Sequence, residues 1–272
     1  MSSAPEVILD DVIAALQNSH TRLRSALGAL TSDELVGPSY DDEWTIAQVA
    51  SHLGSGAEIF GLFLDAGLRD EAVPDRETFQ EIWARWDAKP ATEQTADAIT
   101  VDRQLLDNVA AIPAEQRESW RLDMFGTVHS LPTFLRTRLA EHALHSWDIA
   151  VMRDPRAVIA PDATALIVDN LGQIAQRAGK NAGYAGVVAV ETAEPARNFA
   201  LTLSADGAQL IPSASAADDG TTAAPAATAT LRLPAEAFVR LVYGRLDDHH
   251  TPPGVDVDRI ELDALRAAFP GV

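Results

Sequence analysis

Apolar residues recur at helical spacing through the first half of the chain and alternate with polar ones in much of the second. In residues 5–30, Leu9, Val12, Leu16, Leu23, Leu27 and Leu30 make one stripe of a helix, and Gly28 and Ser32 mark its end. A second helix opens in WTIAQVASHL, where Thr45 and Gln48 have capping-box spacing: hydroxyl and amide satisfy free backbone groups at the helix entrance. It runs to about Leu64. A third helical stretch starts near Glu77 with Phe79, Ile82, Trp83 and Trp86, breaks at Pro90, and resumes through Ile99, Leu106 and Val109 as far as Pro113. The fourth starts around Ser130, with Pro132 near the first turn, where a missing amide proton costs little, and continues to about Met152. Four long helices predict a bundle.

The pattern changes after Asp154. PRAVIAP reads as a linker, residues 162–178 as a helix, and GVVAVET, FALTLSA, AQLIPS and ATLRLP as strands. PAEAFVRLVYGRL and ELDALRAAF finish the chain as short helices. The expected fold class is therefore α+β: a helical bundle over residues 1–154, then a smaller α/β domain over residues 155–272. Residues 214–226 lie in SASAADDGTTAAPAATA, too poor in bulky side chains to anchor itself, and are expected to form a flexible loop.

Composition narrows the partners. With 272 residues and 47% apolar content the chain can bury a substantial core. Its 40 acidic against 21 basic residues give a formal charge of -19, which opposes nucleic acid and anionic membranes. There is no cysteine, hence no disulfide, thiolate ligand or cysteine nucleophile. The apolar runs are short of a membrane span, and MSSAPEV lacks the basic-then-apolar pattern of a secretory signal, so a cytoplasmic location is expected. Oligomeric state is not legible.

One stretch resists a purely structural reading. Along RLAEHALHSWDIA and its flanks, Leu131, Phe134, Arg138, Glu141, His145, Asp148 and Met152 share a face that is apolar at its ends and polar in the middle. The neighbouring stripe Ala140, Leu144, Trp147 and Val151 is apolar, so the polar residues adjoin core and need partners. The second helix offers one: its inward stripe Val49, His52, Gly56, Ile59 and Phe63 contains a single imidazole, with a glycine one turn on that leaves room. His52, Glu141 and His145 make a two-imidazole, one-carboxylate set suited to zinc or another divalent ion, with an open position for catalysis. Asp148 is placed to orient a ligand imidazole, Arg138 to pair with Glu141, and His142 to serve as a surface or packing residue. His20 reads as a core histidine, His129 as lining a mouth, His249 and His250 as an exposed loop pair, and Trp44 and Trp147 as packing aromatics.

EWTIAQVASHLGSGAEIF, RLAEHALHSWDIAV and the C-terminal LRLPAEAFVRLVYGR together resemble the mycothiol-dependent maleylpyruvate isomerase family. The resemblance implies a DinB-like four-helix bundle followed by a sterol-carrier-like α/β domain, with metal held by His52, Glu141 and His145. It further implies mycothiol as cofactor, a small electrophile as substrate, and isomerase or thiol S-transferase chemistry. A divalent ion lowers a thiol's pKa, so a protein without cysteine obtains a nucleophilic thiolate from a small cofactor. In the isomerase, that thiolate adds to a cis double bond, permits rotation and leaves; in transferase relatives the adduct persists. Arg245 matches a late arginine of the family and is the candidate catalytic and cofactor-binding cation, with Arg240 the weaker one. Two other readings remain open at this stage: a metal-dependent hydrolase with Asp148 or Glu58 as base, and an apolar-ligand binder working through the C-terminal domain.

Overall fold

The computed structural model describes residues 9–41, 43–124, 126–213 and 227–271. The chain divides between Ala157 and Val158 into two compact units. The first is helical. Its long helices are α1 (Leu9–Gly28), α3 (Ile46–Arg69), α5 (Ala91–Ala111) and α7 (Leu131–Ala150), accompanied by the shorter α2 (Ser32–Leu35), α4 (Arg76–Asp87) and α6 (Ala114–Ser119). Helix α1 packs on α5 and α7, and α3 packs on the same two, so the four close a ring in which α3 and α7 are neighbours.

Local chemistry sets the ends. Thr45 caps α3: its hydroxyl accepts from the Gln48 amide at 3.2 Å while the Gln48 side chain accepts from Thr45 N at 2.8 Å. The helix continues past Leu64 to Arg69 and stops where Asp70 turns left-handed, φ 54°. Ser130 occupies the N-cap of α7, with Pro132 in the first turn. A feature the periodicity does not announce precedes it, an antiparallel hairpin of β1 (Arg121–Met124) and β2 (Thr127–Ser130). These strands are four residues each, too short to display alternation.

The bundle core is aromatic and aliphatic. Phe134 stacks between Phe60 and Trp120 at 4.9 Å from each, and Trp120 donates its indole proton to the Leu64 carbonyl at 3.0 Å. Trp86 reaches the interior because residue 54 is glycine: a Cβ there would stand 2.3 Å from the indole ring. Each such side chain, fully buried, contributes about 1.5–3 kcal/mol of transfer free energy.

The second unit holds α8 (Pro161–Ile167), a 3₁₀ turn at Val168–Asn170, α9 (Leu171–Ala178), α10 (Ala235–Val242) and α11 (Leu262–Ala268). They accompany a five-stranded sheet of β3 (Gly186–Ala193), β4 (Arg197–Ser204), β5 (Gly207–Pro212), β6 (Ala229–Pro234) and β7 (Asp256–Asp258), in the order β5-β4-β3-β6-β7. Only the β3–β6 pair is parallel. Alternation places Val188, Val190 and Thr192 of β3, and Ala229, Leu231 and Leu233 of β6, on the buried face. Helix α10 is buried throughout, with Phe238 5.5 Å from Phe199. The loop expected over residues 214–226 lies outside the described residues. Among the described residues no helix is long and apolar enough to cross a membrane.

Candidate metal centre

Glu141 and His145 stand one turn apart on α7 and face His52 on the adjacent α3. The His52 Nε2 to Glu141 Oε2 distance is 3.6 Å and the His145 Nε2 to Glu141 Oε2 distance 3.8 Å, and the two imidazole rings meet edge to face at 4.6 Å. One potential ligand atom from each residue falls within 4.8 Å of the others. These separations are too long for hydrogen bonds. They are close to those of donors around one small cation, since atoms at zinc-ligand distances in a tetrahedral shell stand about 3.3–3.6 Å apart. The residues present therefore fit a divalent ion of borderline softness held by two nitrogens and an oxygen.

The electrostatics favour the charged form of the carboxylate. Burial opposes ionisation of Glu141, but the adjoining His52, His145 and Arg138 outweigh it and bring its pKa to about 2. With the His52 and Glu141 side chains 36% and 38% exposed, the set opens to solvent on one side.

Neighbours fix these three side chains. Asp148, fully buried one turn after His145, meets His145 Nδ1 at 2.9 Å, which leaves Nε2 facing Glu141. The Asp148 carbonyl accepts from Tyr40 N at 3.0 Å, and Ser39 N donates to Trp44 O at 2.9 Å, so the same residue tethers the loop that carries Trp44. Trp44 is more than a packing aromatic: its ring lies 5.2 Å from His52 and 6.3 Å from His145.

Behind these residues sits a buried polar cluster that sequence reasoning missed. Asp102 on α5 meets His20 Nδ1 at 2.8 Å, Arg138 at 2.9 Å and His142 Nε2 at 3.1 Å, and His142 Nδ1 meets the Ser19 hydroxyl at 2.8 Å. Arg138 also donates to the Leu53 carbonyl at 2.9 Å, beside His52. Its expected pairing with Glu141 is thus corrected: the guanidinium is bound to Asp102. The space beside His52 that Gly56 provides is taken by this arginine, whose Nη1 lies 3.0 Å from where a Cβ would be. His142 is a packing residue with no exposure, and His20 is the expected core histidine. The signal for Asp102 was available: it interrupts the inward stripe Ala98, Leu105 and Val109 as His52 interrupts that of α3.

Other candidates fall elsewhere. His129 lies in β2 opposite Leu122. Glu58, the possible base of a hydrolase, is tied to Arg85 and to the Trp86 indole at 3.0 Å, and Asp148 is committed to His145. Arg240 is 1% exposed, bidentate on Glu236 at 2.8 and 2.9 Å, and donates to the His250 carbonyl at 2.7 Å. Its donors organise its own loop, which removes it as an anion-binding candidate. Arg245 follows Gly244, whose φ is +73°, is half-buried, and donates to the Tyr243 carbonyl at 3.0 Å. His250 is not an exposed loop residue: it is half-buried against Asp247 at 2.9 Å, while His249 is exposed.

Comparison with known proteins adds a family. Residues 16–150 match the model of the mycothiol maleylpyruvate isomerase N-terminal domain. The fold is similar to the crystal structure of the mycothiol-dependent maleylpyruvate isomerase, with TM-score 0.68 and 15% identity over 96% of this chain and 97% of that one. A histidine-to-alanine variant of that isomerase gives TM-score 0.68 at 14% identity and the same coverage. YfiT from Bacillus subtilis, described as a probable metal-dependent hydrolase with an unusual four-helix bundle topology, gives TM-score 0.41 at 18% identity over 56% of this chain and 91% of its own. No curated protein sequence matches.

Proposed function

Since the chain belongs, through residues 16–150, to the mycothiol maleylpyruvate isomerase family, we propose that it is a zinc-dependent, mycothiol-using enzyme acting on a small electrophile, with isomerisation as its reaction. The observation that carries this reading is the convergence of His52, Glu141 and His145 from two adjacent helices, with separations that suit one cation and a face left open. Bound there, zinc supplies the positive charge that lets a coordinated thiol lose its proton near neutral pH.

The chain's own residues do the rest. Glu141 supplies the one negative charge among the three ligands and stays ionised far below neutrality. Asp148 holds the His145 ring so that Nε2 is presented to the ion. Trp44 sets its ring beside both imidazoles, 5.2 Å from His52 and 6.3 Å from His145. The cytoplasm is the location that suits a small thiol cofactor. A hydrolase is disfavoured because Glu58 and Asp148, the carboxylates considered as base, are both engaged.

The test is turnover of maleylpyruvate by purified protein of known metal content, with and without mycothiol. The expected outcome is activity that requires both, is lost after chelation, and is restored by zinc. A stable thioether product in place of the isomer would reassign the chain to S-transferase chemistry. Metal-dependent turnover that ignores added thiol would overturn the proposal in favour of activated water.

A further inference from the structure

The seam between α3 and α7 carries the candidate metal centre, yet it is the least extensively packed of the four seams in the helical ring. One turn before Glu141 it is bridged by a charge. Arg138 of α7 is 2% exposed, and a single terminal nitrogen, Nη2, makes both of its hydrogen bonds: to Asp102 Oδ1 on α5 at 2.9 Å and to the Leu53 carbonyl on α3 at 2.9 Å. Leu53 follows His52 within the helix, so the second bond is to the α3 backbone itself. Glycine at position 56 leaves the room, with Nη1 3.0 Å from where a Cβ would stand, and the Phe60 ring centre lies 5.7 Å from the guanidinium carbon.

An ion pair built for stability alone would be arranged differently. A guanidinium meets a carboxylate best through two parallel N–H bonds. Here Asp102 gives Oδ2 to His20 and His142, and Arg138 Nε is buried with no hydrogen-bond partner among the described residues. An unsatisfied buried donor is costly, and apolar side chains of similar volume would fill the space without that cost. What the observed placement achieves is a fixed link from α5, through α7, to the turn of α3 that bears His52. We propose that Arg138 is a positioning residue of the metal centre: held by Asp102, it sets the distance between the His52 turn and the pair Glu141 and His145, so that the three donors suit one ion. Arg138 is not itself a ligand, since a guanidinium has no lone pair to offer. The assignment rests on the metal reading above and holds whichever reaction the ion serves.

The experiment compares the full chain with its Arg138→Met and Gly56→Ala variants. Zinc affinity is read by chelator competition, site geometry by the visible absorption of the cobalt(II)-loaded protein, and helix content by circular dichroism. Charge and position predict opposite signs. Arg138→Met removes a positive charge beside a cation site, which through repulsion alone would tighten zinc binding. Loss of positioning weakens it instead, by about 10- to 100-fold, and alters the cobalt bands. Gly56→Ala keeps every charge and favours the helix. Away from its own stretch of helix, the new methyl group meets only Arg138 within 4 Å. The expected result is weakening in the same direction, by about threefold, with shifted cobalt bands. Zinc binding that is unchanged or tighter in a folded Arg138→Met protein would overturn the proposal and leave Arg138 a structural ion pair. Should that variant fail to fold, Gly56→Ala decides: wild-type zinc affinity and an unchanged cobalt spectrum would overturn it. Absence of zinc and cobalt binding by the wild-type protein would remove the metal centre, and the proposal with it.

Discussion

The roles of individual histidines follow from what each ring nitrogen faces. His20 and His142 point at Asp102 deep in the bundle, whereas His52 and His145 face Glu141 on its open side. Replacing His52 with alanine, or Glu141 with glutamine, is expected to reduce bound zinc from one equivalent to near none with helix content unchanged, read by elemental analysis and far-ultraviolet circular dichroism. Asp148→Asn is expected to keep the fold but weaken zinc about 10- to 100-fold in a chelator competition, because the 2.9 Å contact that orients His145 loses its charge. The convergence of His52, Glu141 and His145 was legible because helical periodicity put each on an inward stripe where charge or imidazole was unwelcome. Arg138 was misread because its partner, Asp102, comes from a helix that spacing within α7 cannot identify. Trp44 precedes its helix, where no periodicity reports direction.

At the scale of elements, the Asp102 cluster ties the bundle together. One carboxylate on α5 binds groups from α1 and α7, and Arg138 carries the link to the α3 carbonyl of Leu53, next to His52. Asp102→Asn leaves Arg138 buried beside a neutral group, and a loss of about 3–5 kcal/mol is expected in urea denaturation. Burial opposes ionisation of Asp102, yet the charge and hydrogen bond of His142, with His20 and Arg138, hold it well below its ordinary value of 3.8. A carboxyl whose pKa is depressed on folding stabilises the fold fully above its unfolded value and loses that contribution as pH falls through its folded one. Stability is thus expected to decline as pH drops below about 4, with a shallower decline in Asp102→Asn. Gly54→Ala sets a methyl group against the Trp86 ring and is expected to cost about 1–3 kcal/mol in the same assay. The long helices were legible from their stripes and caps. The β1–β2 hairpin, α2 and α6 were not, because elements of four to six residues carry too few positions to express a period.

For the whole molecule, an apolar run of strands and a fully buried α10 made the second unit readable as α/β, and the described structure has that composition of elements. What sequence did not convey was that Arg240 is enclosed by Glu236 while Arg245 is half-buried, since both lie in the same short segment. The proposed function rests on three side chains from two helices, which would hold one ion able to bind and acidify the sulfur of a thiol. X-ray absorption at the zinc edge, recorded on the zinc-loaded protein before and after saturation with mycothiol, tests it most directly. The account expects only nitrogen and oxygen neighbours before, and one sulfur at about 2.3 Å after. A zinc shell that stays free of sulfur while mycothiol is bound would contradict it.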